Sequence, residues 1–316
     1  MVIAWFFPGQ GTQRVGMGKE LYESSAAARE IWERADRALG FSIKNLCFEG
    51  PEAELTLTKH AQPAIVTCSI AALAAIKEAV PGLPAPACAA GHSLGEYSAL
   101  VAAGALGFED AVRLVHLRGH AMQEAVPPGL GGMAAILGGD APTVEALCRD
   151  AAQGEVVSPA NFNTPGQIVI SGHKNAVERA AALAGERKLK ATMLNVSAPF
   201  HCSLMAPAAA RMKTALAEVT PSALGFPVYA NVDAKPNVEA ARVAELLVRQ
   251  IDSPVLWDQT VLGMAEAGVT LALEIGPGKV LANMAKRIDK RLTVLSAGDT
   301  ESVAKVGEFM AQAAVD

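Results

Sequence analysis

The chain has 316 residues, 51% of them hydrophobic, with 27 Lys and Arg against 32 Asp and Glu for a formal net charge of −5. This length and apolar content suit one large α/β domain or two unequal ones around a substantial core. A mildly acidic chain without a basic run is not built for nucleic acid, no apolar run reaches membrane-spanning length, and five scattered cysteines without Cys-x-x-Cys spacing point to reduced thiols in a cytoplasmic protein rather than to disulfides or a zinc site.

The chain opens on Val2-Ile3-Ala4-Trp5-Phe6-Phe7, which is apolar but short and lacks the basic start and cleavage site of a signal peptide. It reads as a buried parallel strand ended by Pro8-Gly9. Helical patterns follow over 20–38 and 62–79. Residues 85–90 suit a short strand, 96–103 a helix rich in small residues, and 108–126 a further helix stopped by Pro127-Pro128-Gly129. The next stretch changes character: strand 132–137, helix 141–152, strands 155–160 and 167–171, helix 176–187 and strand 191–196. That βαββαβ order is the split βαβ of a ferredoxin-like module. After Pro199 the α/β alternation resumes, with helices over 203–218, 238–250 and 257–267 and strands over 227–230, 271–275 and 292–296. The expected fold is α/β: a large domain of residues 1–127 and 198–316 with a parallel sheet, and an inserted small ferredoxin-like domain of residues 128–197.

Gly91-His92-Ser93-Leu94-Gly95 has the Gly-x-Ser-x-Gly form of a nucleophile elbow, and it lies between a predicted strand and a predicted helix. Ser93 would stand at a helix N-terminus, where free backbone N–H groups favour developing negative charge. A serine hydroxyl needs a base within hydrogen-bond reach. Of the six histidines, His201 is the best placed, in a loop where the small domain rejoins the large one, since clefts favour such junctions. His116 and His120 share a helix face and read as cover for it.

Pro8-Gly9-Gln10-Gly11-Thr12-Gln13 follows the first strand, where an α/β sheet presents backbone amides. Three uses compete: a tight turn, a dinucleotide site that lacks its third glycine because Arg14 stands there, and one half of an oxyanion hole. In the last case the N–H groups of Gln10 and Leu94 would be the two donors. Arg118, on the helix after the elbow helix, is either solvated or the holder of a substrate carboxylate through paired hydrogen bonds. Arg113 falls on another face of that helix. Lys190 and Arg287 read as solvated surface charge.

Taken together, these motifs resemble those of the malonyl-CoA:acyl carrier protein transacylase family. The likeness rests on residues 8–13, on Gly91-His92-Ser93-Leu94-Gly95-Glu96-Tyr97, on Arg118-Gly119 with Met122-Gln123, on Asn161-Phe162-Asn163-Thr164-Pro165-Gly166-Gln167, and on Glu274-Ile275-Gly276-Pro277-Gly278. They run in order over nearly the whole chain. The resemblance implies an α/β-hydrolase-like large domain and malonyl transfer from malonyl-CoA to an acyl carrier protein by a ping-pong route, supplying fatty acid synthesis. It implies Ser93 as nucleophile and His201 as base, with the main-chain carbonyl of Gln250 orienting His201 in place of an acid. It also implies Arg118 as the malonyl carboxylate holder, with Met122 nearby, and Phe200 as a bulky residue favouring malonyl over branched units. No metal or bound cofactor is implied, and the chain reads as a monomer. The rivals are a serine hydrolase, which usually places its histidine near the C-terminus, a non-covalent nucleotide- or CoA-binding module, and an acyltransferase loading a polyketide synthase carrier.

Overall fold

The computed structural model describes residues 2–196 and 198–312. Met1, residues 313–316 and Ser197, the last residue of the expected small domain, lie outside the described residues. The strands are β1 (Ile3–Phe7), β2 (Cys88–Gly91), β3 (Gly131–Leu137), β4 (Val157–Thr164), β5 (Gln167–His173), β6 (Lys190–Met193), β7 (Val228–Tyr229), β8 (Pro236–Asn237), β9 (Leu271–Ile275) and β10 (Thr293–Ala297). Six form one sheet in the order β10-β9-β1-β2-β7-β8. Its pairings are parallel except for the β7–β8 edge hairpin.

β1 is buried along its whole length, as a central parallel strand must be when helices cover both faces. Its side chains alternate between two cores. Ile3, Trp5 and Phe7 enter the larger one. Ala4 and Phe6 enter the other, where the Phe6 ring meets Trp257 edge-on at 5.4 Å. The larger core is organised by the helix Thr58–Ala79, an Ala-rich segment buried on nearly every face. It packs on the helices Ala26–Leu39 and Phe108–Glu124. Gly119 permits the second crossing, because a Cβ there would stand 2.6 Å from Thr58 O and from Lys59 Cα. Pro63 lies inside the long helix and lacks an N–H. The carbonyl of Lys59, four residues earlier, is met instead by His116 Nδ1 at 2.8 Å.

The remaining four strands form an antiparallel sheet ordered β4-β5-β3-β6. With the helices Ala141–Ala152 and Lys174–Glu186 it makes the ferredoxin-like βαββαβ unit. One sheet face carries Ala134, Ile136, Ile168 and Ile170 onto those helices. The other carries Met133 and Val169 toward the large sheet. β4 is also bonded to the large domain: Phe162 N–H donates to Val255 O, and Val255 N–H donates to Ala160 O, each at 2.9 Å.

Several element boundaries differ from expectation. The pattern over 20–38 is two helices, Lys19–Ser24 and Ala26–Leu39, because Ser25 turns extended and its side chain caps the second through Ala28 N–H. The helix expected from 62 starts at Thr58. The elbow strand starts at Cys88 rather than 85, because Pro84 and Pro86 have no N–H for a ladder. The segment 203–218 divides into a 3-10 turn, Ser203–Met205, and the helix Ala206–Ala217. The helices Ile43–Glu49, Glu52–Thr56, Val280–Ile288 and Thr300–Gln312 were not anticipated. Among the described residues no helix is long and apolar enough to cross a membrane.

Candidate active site

The parallel register of β1 and β2 sets Phe7 beside Gly91. The loops that leave these two strands therefore begin side by side, and His92 N–H donates to Phe7 O at 3.0 Å. One loop carries Gly9, Gln10 and Gly11; the other carries Ser93. The elbow is tight. A Cβ on Gly91 would stand 1.9 Å from Gly95 C, and one on Gly95 would stand 2.2 Å from Phe7 O. Ser93 itself takes φ 53, a strained value for a residue with a side chain, held here by surrounding structure. Its N–H donates to Asn231 Oδ1 at 2.7 Å, and Asn231 Nδ2 donates to Gly91 O at 2.7 Å.

Ser93 Oγ lies 2.8 Å from His201 Nε2, and His201 Nδ1 lies 2.9 Å from the main-chain oxygen of Gln250. His201 sits in the loop after Phe200 with φ 59 and is 3% exposed. Burial, with Arg118 nearby, pushes its imidazole down to about 3. It is therefore neutral at physiological pH, with Nδ1–H donated to the Gln250 carbonyl and Nε2 free to accept from the serine.

Arg118 and Met122 project from the same face of the helix Phe108–Glu124 and are both buried. Arg118 Nη1 donates to Gln62 Oε1 at 2.9 Å. Its Nη2 donates to Gln250 Oε1 at 2.8 Å and to Ser93 Oγ at 3.1 Å. Its Nε is buried without a hydrogen-bond partner among the described residues. Arg113 is on the exposed side of the helix and pairs with Asp110 at 2.7 Å. His116 and His120 stack edge to face away from the serine, and His92 turns to Asn163 Oδ1 at 2.9 Å.

These groups open onto a cavity of about 520 Å³ between the two sheets. Gln10, Ser93, Arg118, Met122, Phe200 and His201 all line it. Small-domain residues Met133, Asn161, Asn163 and Val169 form its opposite wall. The N–H groups of Gln10 and Leu94 donate to no other group among the described residues. Leu94 is the N-cap of the elbow helix Gly95–Ala102, so its amide is one of the donors a helix start leaves open. Lys190 and Arg287 are exposed, and Arg287 bonds Gln167 at 3.1 Å. No group of three or more His, Cys, Asp or Glu suited to a metal ion occurs among the described residues.

The structure thus brings Ser93, His201, Gln250, Arg118 and Gln10 to one place from five separated segments. It adds four residues that the motif reading did not single out: Gln62, Glu96, Asn163 and Asn231. Glu96 left a trace in the sequence, as an acid inside an otherwise apolar helix start, and Asn163 lay within the family-like segment 161–167. The chemistry available is nucleophilic attack by a hydroxyl beside a neutral base, with a buried cation at the same spot.

The chain matches the acyl transferase domain family model over residues 4–312. It is 48% identical over 291 residues to the malonyl CoA-acyl carrier protein transacylase of Salmonella typhimurium, covering 92% of this chain and 94% of that one. It is 48% identical over 303 residues to the protein of the same name from Bacillus subtilis, covering 95% of each. Among solved structures it is similar, with a TM-score of 0.95 and 43% identity, to the malonyl-transacylase described in complex with its type II PKS acyl-carrier protein; the match covers 98% of this chain and 100% of that one.

Proposed function

The chain belongs to the acyl transferase domain family, and on that premise we propose that it moves a malonyl group from malonyl-CoA to the phosphopantetheine thiol of an acyl carrier protein through a malonyl-Ser93 ester. The observation that carries this reading is a buried guanidinium at the nucleophile: Arg118 Nη2 is 3.1 Å from Ser93 Oγ, which is itself 2.8 Å from His201 Nε2. A hydrolase of simple esters has no use for a cation there. A dicarboxylic acyl group does, because its free carboxylate can pair with the guanidinium that lines the cavity.

His201 Nε2 takes the Ser93 proton as Oγ adds to the thioester carbonyl. The N–H groups of Gln10 and Leu94 receive the oxyanion, a contribution of about 3–4 kcal/mol per donor. Collapse breaks the carbon–sulfur bond, and the CoA sulfur takes the proton from His201. In the second half the carrier thiol gives its proton to His201 and attacks the ester, and Ser93 leaves reprotonated. Arg118 is among the causes that depress His201. A malonyl carboxylate neutralising Arg118 therefore makes His201 a stronger base as substrate arrives. Phe200 and Met122 fill the acyl end of the cavity and favour malonyl over branched units.

No metal or bound cofactor takes part, and nucleic acid and membrane have no role. The pathway served is fatty acid synthesis in the cytoplasm, with the protein acting as a monomer. The cytoplasmic setting is supported by five free, buried thiols, Cys47, Cys68, Cys88, Cys148 and Cys202. A polyketide carrier is the second reading, favoured by the likeness to a transacylase in complex with a type II PKS carrier.

Intact mass after brief mixing with malonyl-CoA tests the proposal. Expected is a malonyl adduct on wild type that is absent from Ser93→Ala and is discharged by holo acyl carrier protein. Free malonate without an adduct would make the protein a hydrolase.

A further inference from the structure

Glu96 stands at the first turn of the elbow helix, 3% exposed, and the chemistry above gives it no part. Its Oε2 accepts two hydrogen bonds, from Asn231 N–H at 2.9 Å and from Gln250 Nε2 at 2.8 Å. Both donors are joined to the reacting groups. Asn231 grips the elbow at Gly91 O and Ser93 N–H. Gln250 offers its main-chain oxygen to His201, its Oε1 to Arg118, and its Nε2 also to Ser93 O at 2.9 Å.

A neutral amide oxygen would satisfy those two donors at a lower desolvation cost than a carboxylate. What a carboxylate adds is charge. Among the described residues no other carboxylate hydrogen-bonds to Ser93, His201, Arg118 or Gln250. The buried site otherwise holds a cation at Arg118 and must create a second at His201 in each half-reaction.

We infer that Glu96 is the acid of this site, displaced by one residue: a positioning residue whose negative charge, set behind Gln250, balances Arg118 and supports the imidazolium that His201 forms. The inference rests on the malonyl-transfer reading. Burial pushes the Glu96 carboxyl up to about 7, with Arg118 pulling it down and Asp233 pushing it up. Tyr97, the other titratable group beside it, is pushed up to about 12 and stays neutral. Burial holds His201 down to about 3 in the free protein, and bound malonyl raises it by neutralising Arg118, so a loss of rate between pH 8 and pH 5.5 is assigned to Glu96 by its disappearance in Glu96→Gln.

The test is rapid-quench measurement of malonyl-enzyme formation between pH 5.5 and pH 8.5 for wild type and Glu96→Gln, with thermal melts as a check on folding. Wild type should slow by about tenfold or more across an acid limb centred near the Glu96 value. Glu96→Gln, a permanent analogue of the protonated acid, should be flat with pH and should match the slow acidic rate of wild type. A residue needed only for shape would lower the rate and leave the limb in place. The inference is overturned if Glu96→Gln keeps the limb, if it matches wild type at pH 8, or if wild type shows no limb at all. Wild type that forms no adduct at any pH overturns the malonyl reading and this inference together.

Discussion

Arg118 Nη2 lies 3.1 Å from Ser93 Oγ, so a buried cation and the elbow hydroxyl share a hydrogen bond. The guanidinium is held by two amide oxygens, those of Gln62 and Gln250, rather than by a carboxylate that would compete with substrate. Arg118→Ala should lower kcat/KM for malonyl-CoA by about a hundredfold or more, the scale of a lost charge-assisted pair, and leave acetyl-CoA use unchanged or improved. Steady-state assays with both thioesters measure this. An unchanged malonyl-to-acetyl ratio would remove Arg118 from acyl recognition.

His201 links activity to acid stability. Its folded value, about 3, is below its unfolded one, so below pH 6.5 the unfolded chain binds a proton that the folded chain refuses. Its stabilising share is complete at neutral pH and is lost as pH falls toward 3. Between pH 7 and pH 4.5 wild type should lose about 2–3 kcal/mol more than His201→Gln. Urea titrations at the two pH values give the comparison, and equal losses in both proteins would contradict it.

Glu96 has the opposite sign. Its folded value, about 7, is above that of a free glutamate, so ionisation costs stability as pH rises from about 4.5 through 7. Glu96→Gln removes that cost. Its stability relative to wild type should improve by about 2–3 kcal/mol on going from pH 5 to pH 8, while its activity falls. Melting curves at both pH values decide the matter, and a difference that does not grow with pH would sink it.

Gly95→Ala should be among the most damaging single-methyl additions in the chain. The new Cβ would press on Phe7 O at 2.2 Å, where β1 and the elbow helix meet and neither backbone can yield. A loss of about 2–3 kcal/mol and of malonyl-adduct formation is expected. A variant that melts and reacts like wild type would show that the elbow has slack.

Phe200 lines the cavity next to His201. Phe200→Ala should raise the ratio of methylmalonyl to malonyl transfer by about tenfold, the worth of room for one methyl group. Competition assays with the two CoA esters, read by mass of the acyl-enzyme, provide the check. No change in ratio would place the selecting residue elsewhere.

Much of this was legible in the chain itself. The alternation of β1, the glycines about Ser93 and the βαββαβ order each rest on local rules of sterics and periodicity, and those rules hold within a few residues of sequence. The short helices about residues 43–56 left weaker traces, and Ser25 split a helix that its neighbours' pattern had made continuous. Pairing is another matter. The carbonyl of Gln250 as partner of His201 was available only through the family resemblance, and nothing in the order of residues says that the Gln250 amide reaches Glu96 or that Asn231 grips Ser93 N–H from 138 positions away.

The amino-acid sequence by itself determined most of the elements, the α/β class with its βαββαβ insert and the candidate pair Ser93 and His201, because turn sterics and apolar periodicity are local. Only the tertiary structure decided how the site is charged. Burial and the convergence of five segments set the neutrality of His201, the weakened acidity of Glu96 and the aim of Arg118. Those depend on desolvation and on distances across space, which a linear pattern does not contain.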